Sequence, residues 1–435
     1  MTQSLSKNPH TTAALGPIVH NTTIRSSVGP FRVLPEYTIT YPSAVTAALG
    51  ELYCEYNRAF APLVHANREW STDYQYCLTG SAPCNVAVQI DMVGLDDAFL
   101  HGAAHQSPDK LREMLRGKIF EIENSLAWYQ LLERIGSQNG EDSFFKKGFR
   151  ATLADLRRQH GKPIALLAIT DQKYQSVITT EFGGEYDDVL SDADVQDLSG
   201  FDRFFSPKML QEHVRENDGR CDYLLYARTS DPVSKLKKPD QFVHQPLLDD
   251  PEMRRLIKAH AVTLNVDNPS WSNGDIRRIN DTKGYQPLMR MAFPITSDAD
   301  LRSDAFRSYL QECGATRMAI ESDEVPLRCK PFQGAYGCYG HVSGTLTSSH
   351  FRGELKRNLR QRGRYVVQPE MSTPTLTNTT DRVTYTFIDR NFFGMIDGVP
   401  RFIGGFRCLL PLDSMEAKRG RIHGNAESAI AIITS

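Results

Sequence analysis

Apolar residues recur along this chain at two spacings, and the spacing changes where one kind of element gives way to another. Over residues 42–63 the apolar positions Val45, Ala48, Leu49, Leu52 and Phe60 fall near helical spacing, which predicts a largely helical segment. Residues 86–93 form a short apolar run enclosing Gln89 and Asp91, and residues 118–123 form another; both are expected as strands. Leu126, Trp128, Tyr129, Leu131, Leu132 and Ile135 then predict a helix packed on more than one side.

An amphipathic pattern over 149–159 runs into the breaker Gly161-Lys162-Pro163. The uninterrupted apolar run over 164–169 is what a strand buried on both faces of a parallel sheet requires. Similar units follow at 223–227 and, after a helical stretch at 251–260, at 261–266. This alternation predicts a small doubly wound α/β lobe. A helix is expected over 298–310. Beyond it, strands at 325–330, 365–368, 383–388 and 402–410 are expected to be mostly antiparallel, because several connections are too short for crossover helices. The fold class expected is α/β with α+β lobes. It divides into a flexible polar arm over 1–30, an N-terminal part over 31–160, the doubly wound lobe over 161–275 and a strand-rich part over 276–435.

At 435 residues the chain exceeds one ordinary core and fits two or three packed lobes. Hydrophobic residues at 40% and charged residues at 23% are the balance of a globular protein. Lys plus Arg number 50 against 52 Asp plus Glu, so the basic surplus of a nucleic-acid binder is missing. No run approaches the ~18 to 20 apolar residues that cross a bilayer, and no apolar secretory segment opens the chain. The 8 cysteines show neither a Cys-x-x-Cys pair nor zinc-type spacing, which predicts free or buried thiols in a reducing compartment, hence a cytoplasmic protein.

The densest candidate chemistry lies over 327–340, where a strand ends in Lys330 and a loop with Gly334, Gly337 and Gly340 follows. Glycines let a loop fold tightly over phosphates and offer them backbone N–H groups, while the lysine supplies a point charge. A glycine-rich hairpin without ligand is the bland reading of the same residues. The Gly-Lys-Ser/Thr of a Walker loop is missing. Next comes a strand ending in Gln368, Pro369 and Glu370, able to offer backbone groups to an adenine edge. A strand bearing Asp389 and a strand bearing Arg407 follow. His101 and His105 stand four apart, a spacing that suits a metal on one helix face, but Gly102 weakens the helix and no third ligand is evident.

The succession of lysine with glycine-rich loop, linker strand, acidic strand and arginine strand resembles the ATP-grasp superfamily. In detail it is similar to the circularly permuted branch typified by eukaryotic glutathione synthetase. Lys118-Ile119-Phe120-Glu121-Ile122-Glu123-Asn124 resembles that family's Glu-Ile-Asn metal strand, residues 164–182 the start of its Rossmann-like substrate lobe, and Thr282-Lys283 the lysine ahead of the glycine-rich loop. Asp389 stands at the family's ribose-side carboxylate and Arg407 at its substrate-carboxylate arginine.

The resemblance implies an ADP-forming carboxylate–amine ligase using ATP and Mg²⁺ through an acyl-phosphate. A γ-glutamyl or ordinary peptide linkage is the first expectation. The implied nucleotide set is Lys283, Lys330, Gly334, Tyr336, Gly337, Gln368, Glu370 and Asp389. The metal set is Glu121, Glu123 and Asn124, with the extra residue in that strand leaving open which of them face the ion. Gln89, Asp91 and Arg407 are the substrate set, and Lys330 and Arg407 the catalytic pair. Two departures stand out: Gly334 replaces the family's loop glutamate, and Gln89 its substrate-side arginine. An ATP-dependent phosphotransferase and a non-catalytic nucleotide-binding protein are the alternatives. The expected partners are small amino acids or peptides, with no nucleic acid and no membrane, and a homodimer is left open.

Overall fold

Two 13-residue strands, Thr384–Ile396 and Val399–Pro411, form a long antiparallel hairpin at the centre of the molecule. Its turn is Asp397-Gly398, with φ of 55° and 69°, the left-handed pair that tight hairpins need and that Asp-Gly tolerates. The structure is a computed structural model describing residues 3–5, 32–33, 39–66, 87–123, 144–169, 200–205, 207–229, 261–265, 293–331, 341–363, 365–378, 382–418 and 428–435. Among these the fold is mixed α/β, with three sheets.

The largest sheet has nine strands among the described residues. Val399–Pro411 pairs antiparallel with Ala429–Thr434, which is joined in parallel by Arg32–Val33 and Ile39–Thr40. On the other side, Thr384–Ile396 pairs first with Thr375–Asn378 and then with Ala87–Val93, which in turn pairs with Ile119–Glu123. Within the stretch expected as a flexible arm, Gln3–Leu5 adds to Thr375–Asn378 in parallel. The register of the central hairpin shifts between Phe392 and Phe393, opposite Gly404. That glycine's φ of 129° is a conformation other residues avoid.

Helices cover this sheet on both sides. Ser43–Ala66 and Phe144–His160 pack on the Val399–Pro411 strand. Tyr53 lies 6.3 Å from the Phe393 ring, and Phe145 meets Phe392 edge-on at 5.5 Å. Gly394 admits the second helix, because a Cβ there would meet Thr152 Oγ1 at 2.2 Å.

A second sheet, antiparallel throughout, runs Phe293–Ile295, Tyr365–Pro369, Leu327–Pro331, Val342–Gly344. Strand alternation sends Leu327, Cys329, Tyr365 and Val367 into a core with Phe306, Tyr309, Phe351 and Leu355 from the helices Asp304–Glu312 and Ser349–Arg362. Both helices start at serine caps: Ser303 accepts from Phe306 N–H and Ser348 from Phe351 N–H. The helix expected over 298–310 is thus divided, a 3-10 turn Asp300–Arg302 preceding the capped helix. The other face of the sheet carries Arg328, Lys330, Val366 and Gln368.

The third sheet is wholly parallel, in the order Arg203–Phe205, Ile164–Ile169, Leu224–Thr229, Ala261–Asn265. Three of its strands are the expected apolar runs and Arg203–Phe205 is an addition. No helix among the described residues is long and apolar enough to cross a membrane.

Candidate functional site

Lys330 sits next to last in its strand, pointing away from the Leu327 and Cys329 core by alternation, and is only 3% exposed. Its Nζ donates to the Phe120 carbonyl at 3.4 Å and lies 5.5 Å from the Phe120 ring centroid. No carboxylate pairs with it among the described residues. A buried ammonium is costly without an anion, and one long carbonyl contact neutralises little of it. Gln368 lies on the same face and is 4% exposed, with an Nε2 that has no hydrogen-bond partner among the described residues. An orphaned buried donor costs about 1–3 kcal/mol. This face therefore holds a buried ammonium with one long carbonyl contact and an amide donor with no acceptor among the described residues. Glu370, expected to hold nucleotide, is exposed at the strand's end, with its carboxylate 3.4 Å from Arg328. It forms a rim ion pair.

Phe120 brings Lys330 to the start of the acidic strand, 210 residues away along the chain. The register sets Glu121 opposite Asp91, Asp91 opposite Arg390, and Arg390 opposite Phe406. One row along, Glu123 is opposite Gln89 and Gln89 opposite Phe392. Strand alternation puts these rows on one face of the large sheet. Asp91 is fully buried. It accepts from Gln89 Nε2 at 2.8 Å on Oδ1 and pairs with Arg390 Nη1 at 3.0 Å on Oδ2. The Arg390 guanidinium lies 6.0 Å from the Phe406 ring. Gln89 is also fully buried, and its Oε1 has no hydrogen-bond partner among the described residues.

Asp389 and Arg407 lie on the opposite face, because they are odd-numbered neighbours of this row and directly cross-strand from one another. Arg407 donates from Nε to Asp389 Oδ1 at 2.7 Å, from Nη2 to Oδ2 at 2.8 Å, and from Nη2 to the Leu95 carbonyl at 2.5 Å. Asp389 Oδ2 also accepts from Tyr41 O–H at 2.6 Å and Leu95 N–H at 2.8 Å. The guanidinium stacks 4.0 Å from the Phe387 ring. Burial and then the Asp389 charge hold the Tyr41 hydroxyl well above its ordinary pKa. Burial alone would lower the Arg407 pKa, but the Asp389 charge and hydrogen bonds outweigh it and raise it.

This geometry corrects the sequence-based expectation for both residues. The fork expected to grip a substrate carboxylate grips Asp389, and the carboxylate expected at a ribose is consumed by Arg407, Tyr41 and Leu95. The pair is a buried structural clasp, and it does not share a face with Gln89 and Asp91.

Arg390 is the residue that sequence reasoning passed over. Its signal was the run Asp389-Arg390-Asn391 between the apolar pairs Phe387-Ile388 and Phe392-Phe393. Adjacent polar residues on a strand must face opposite ways, so one of them had to join Asp91's face. Lys283, Gly334, Tyr336, Gly337 and Asn124 lie outside the described residues, and Glu121 and Glu123 are placed by backbone register. No trio of His, Cys, Asp or Glu that could hold a metal ion occurs among the described residues. His101 Nδ1 lies 2.8 Å from the Asp97 carbonyl, and the helix Asp97–Ala103 ends before His105, so the two histidines do not share a helix face. Cys221, Cys329 and Cys408 are free thiols, and burial pushes the Cys408 thiol up to about 12.

No protein family matches the chain by sequence, and no curated protein does. Among solved structures the chain is similar to a crystal structure from Methylobacillus flagellatus KT, provisionally named a gamma-glutamylcysteine synthetase. The TM-score is 0.31 and the identity 10%, over 88% of this chain and 86% of that one. A likeness at that level carries no chemical inference, so the reading of the site rests on its own residues.

Proposed function

We propose that this protein is an ATP-dependent carboxylate–amine ligase of the permuted ATP-grasp kind, with its site between the outer face of the Lys330 sheet and the face bearing Gln89 and Asp91. The observation that carries the reading is Lys330. It is a buried ammonium without a carboxylate partner among the described residues, it stands where the glycine-rich segment begins, and it rests on the carbonyl that precedes Glu121.

The donors present fit a nucleotide. Lys330 has two N–H directions left for phosphate oxygens, and the Gln368 Nε2 donor on the neighbouring strand lacks an acceptor. The glycine-rich segment from Gly334 through Tyr336 and Gly337, and Lys283, would add donors as the resemblance implies. The oxygen-bearing positions Glu121 and Glu123, with Asn124, suit a hard cation such as Mg²⁺. Asp91 is the least suited of the acidic group, since Arg390 already offsets its charge. When bound, ATP supplies the phosphoryl group that converts a carboxylate into an acyl-phosphate, from which an amine displaces phosphate.

The chain's own part is positioning and charge. Lys330 offsets charge that builds on phosphoryl oxygens in a site shielded from water, where a fixed cation is worth more than it would be in solvent. The buried Gln89–Asp91–Arg390 row presents a fixed polar surface to whatever approaches it. A screen for ADP release over pairs of amino acids and amines, read by mass spectrometry, tests the proposal. ADP is expected only when carboxylate and amine are both present, about one per amide formed. Steady ADP release without amine would favour a phosphotransferase, and ATP binding without ADP a non-catalytic protein.

A further inference from the structure

We infer that His341 is a phosphate-binding residue of the nucleotide site, supplying an N–H donor beside Lys330. The inference rests on the ligase reading and adds to it a residue that motif order did not point to. The strands Leu327–Pro331 and Val342–Gly344 pair antiparallel, with Leu327 opposite Gly344, Arg328 opposite Ser343 and Cys329 opposite Val342. The same register, taken one step further, sets His341 across from Lys330. Cys329 and Val342 both point into the core. Alternation therefore brings Lys330 and His341 together on the outer face, with Cα atoms about 5 Å apart as cross-strand neighbours are. The chain between Pro331 and His341 is the glycine-rich segment. That segment begins beside the ammonium and ends at the imidazole.

Lys330 has two cross-strand neighbours, and they differ in what they can offer an anion. Val366 stands on one side and is apolar. His341, on the other, is half-buried and carries a ring N–H. An imidazole suits this place better than a second ammonium or guanidinium. Two cations side by side repel, whereas a neutral imidazole donates one N–H without adding charge. Arg328, a further cation on this face, has its charge offset by Glu370 at 3.4 Å. The charge beside His341 is therefore that of Lys330, which calls for an anion. In the ligase reading that anion is the phosphate chain of ATP.

The test separates phosphate contact from a role in holding the fold. The full-length chain is titrated with ATP and with inorganic triphosphate, each with Mg²⁺, by calorimetry. Adenosine, which lacks phosphate, is followed by ligand-observed NMR, which reads weak binding. His341→Phe keeps a planar ring and removes the donor. It should weaken ATP and triphosphate about tenfold or more, the loss of one hydrogen bond to a charged group. Adenosine binding should stay within about twofold of wild type, since it makes no contact with the lost donor. His341→Ala should show the same split and serves if His341→Phe fails to fold.

Unchanged triphosphate affinity, or equal loss for triphosphate and adenosine, overturns the inference and leaves the ligase reading standing. The expected split in a protein that forms no amide supports the inference and removes the ligase chemistry alone. A wild-type protein that binds neither ATP nor triphosphate overturns both.

Discussion

Two buried cations, Lys330 and Arg407, show how partner geometry separates a residue that holds the fold from one held ready for something else. Arg407 has two bonds to Asp389, one to the Leu95 carbonyl and an aromatic face beneath it. Lys330 has one 3.4 Å carbonyl contact. Their loss should therefore read out in opposite ways. Arg407→Met should destabilise by about 3–5 kcal/mol in urea unfolding, because it strands a buried carboxylate. Arg407→Lys should recover only part, since an ammonium cannot reproduce the fork. Lys330→Ala should leave the unfolding midpoint unchanged or raised while lowering ATP-dependent turnover by an amount worth about 2–4 kcal/mol. Sequence order alone identified both as important. It could not say which one the fold had already paired, because that depends on the cross-strand register of residues 18 apart.

At the level of elements, the central hairpin is pinned to the helix Phe144–His160 at its turn. Asp155 accepts the Asp397 N–H at 2.9 Å and Gln159 Nε2 at 2.7 Å, and bonds to Arg158, which also reaches the Asp397 carboxylate. Burial alone would raise the Asp155 pKa, but the Arg158 and Asp397 hydrogen bonds outweigh it and hold it below its ordinary value. A depressed folded-state pKa means that this anchor stabilises fully above the unfolded value of ~3.9 and is lost as pH falls through the lower folded value. Asp155→Asn should thus cost about 1–2 kcal/mol near neutral pH, with the gap to wild type closing below about pH 4. Urea midpoints across pH check this.

The elements themselves were largely legible. Apolar runs marked the parallel strands, and helical spacing marked Ser43–Ala66. The three-residue strand Arg203–Phe205 escaped because so short a segment has no period to detect. The helix after residue 298 broke where Ser303 offered a cap, a local preference that hydrophobic spacing does not register.

At the scale of the molecule, the Lys330–Phe120 contact ties two sheets together through residues 210 apart. If nucleotide and metal bind between them, the strands Ile119–Glu123 and Leu327–Pro331 should gain amide-exchange protection together when ATP and Mg²⁺ are added, and neither should gain it alone. Protection confined to one strand would place the nucleotide elsewhere. Motif order suggested this meeting, but no local pattern could show which face of the large sheet it would use. The large sheet also sets a schedule. Its strand Ala87–Val93 pairs with Thr384–Ile396, and Arg32–Val33 with Ala429–Thr434. The parallel sheet needs only residues 164–265. At a synthesis rate of about 5–20 residues per second, the early strands wait on the order of 15–80 s for their later partners to leave the ribosome. During that interval their edges stay open to chaperones and to other nascent copies, and for Arg32–Val33 that exposure lasts until Ala429–Thr434 arrives to pair with it.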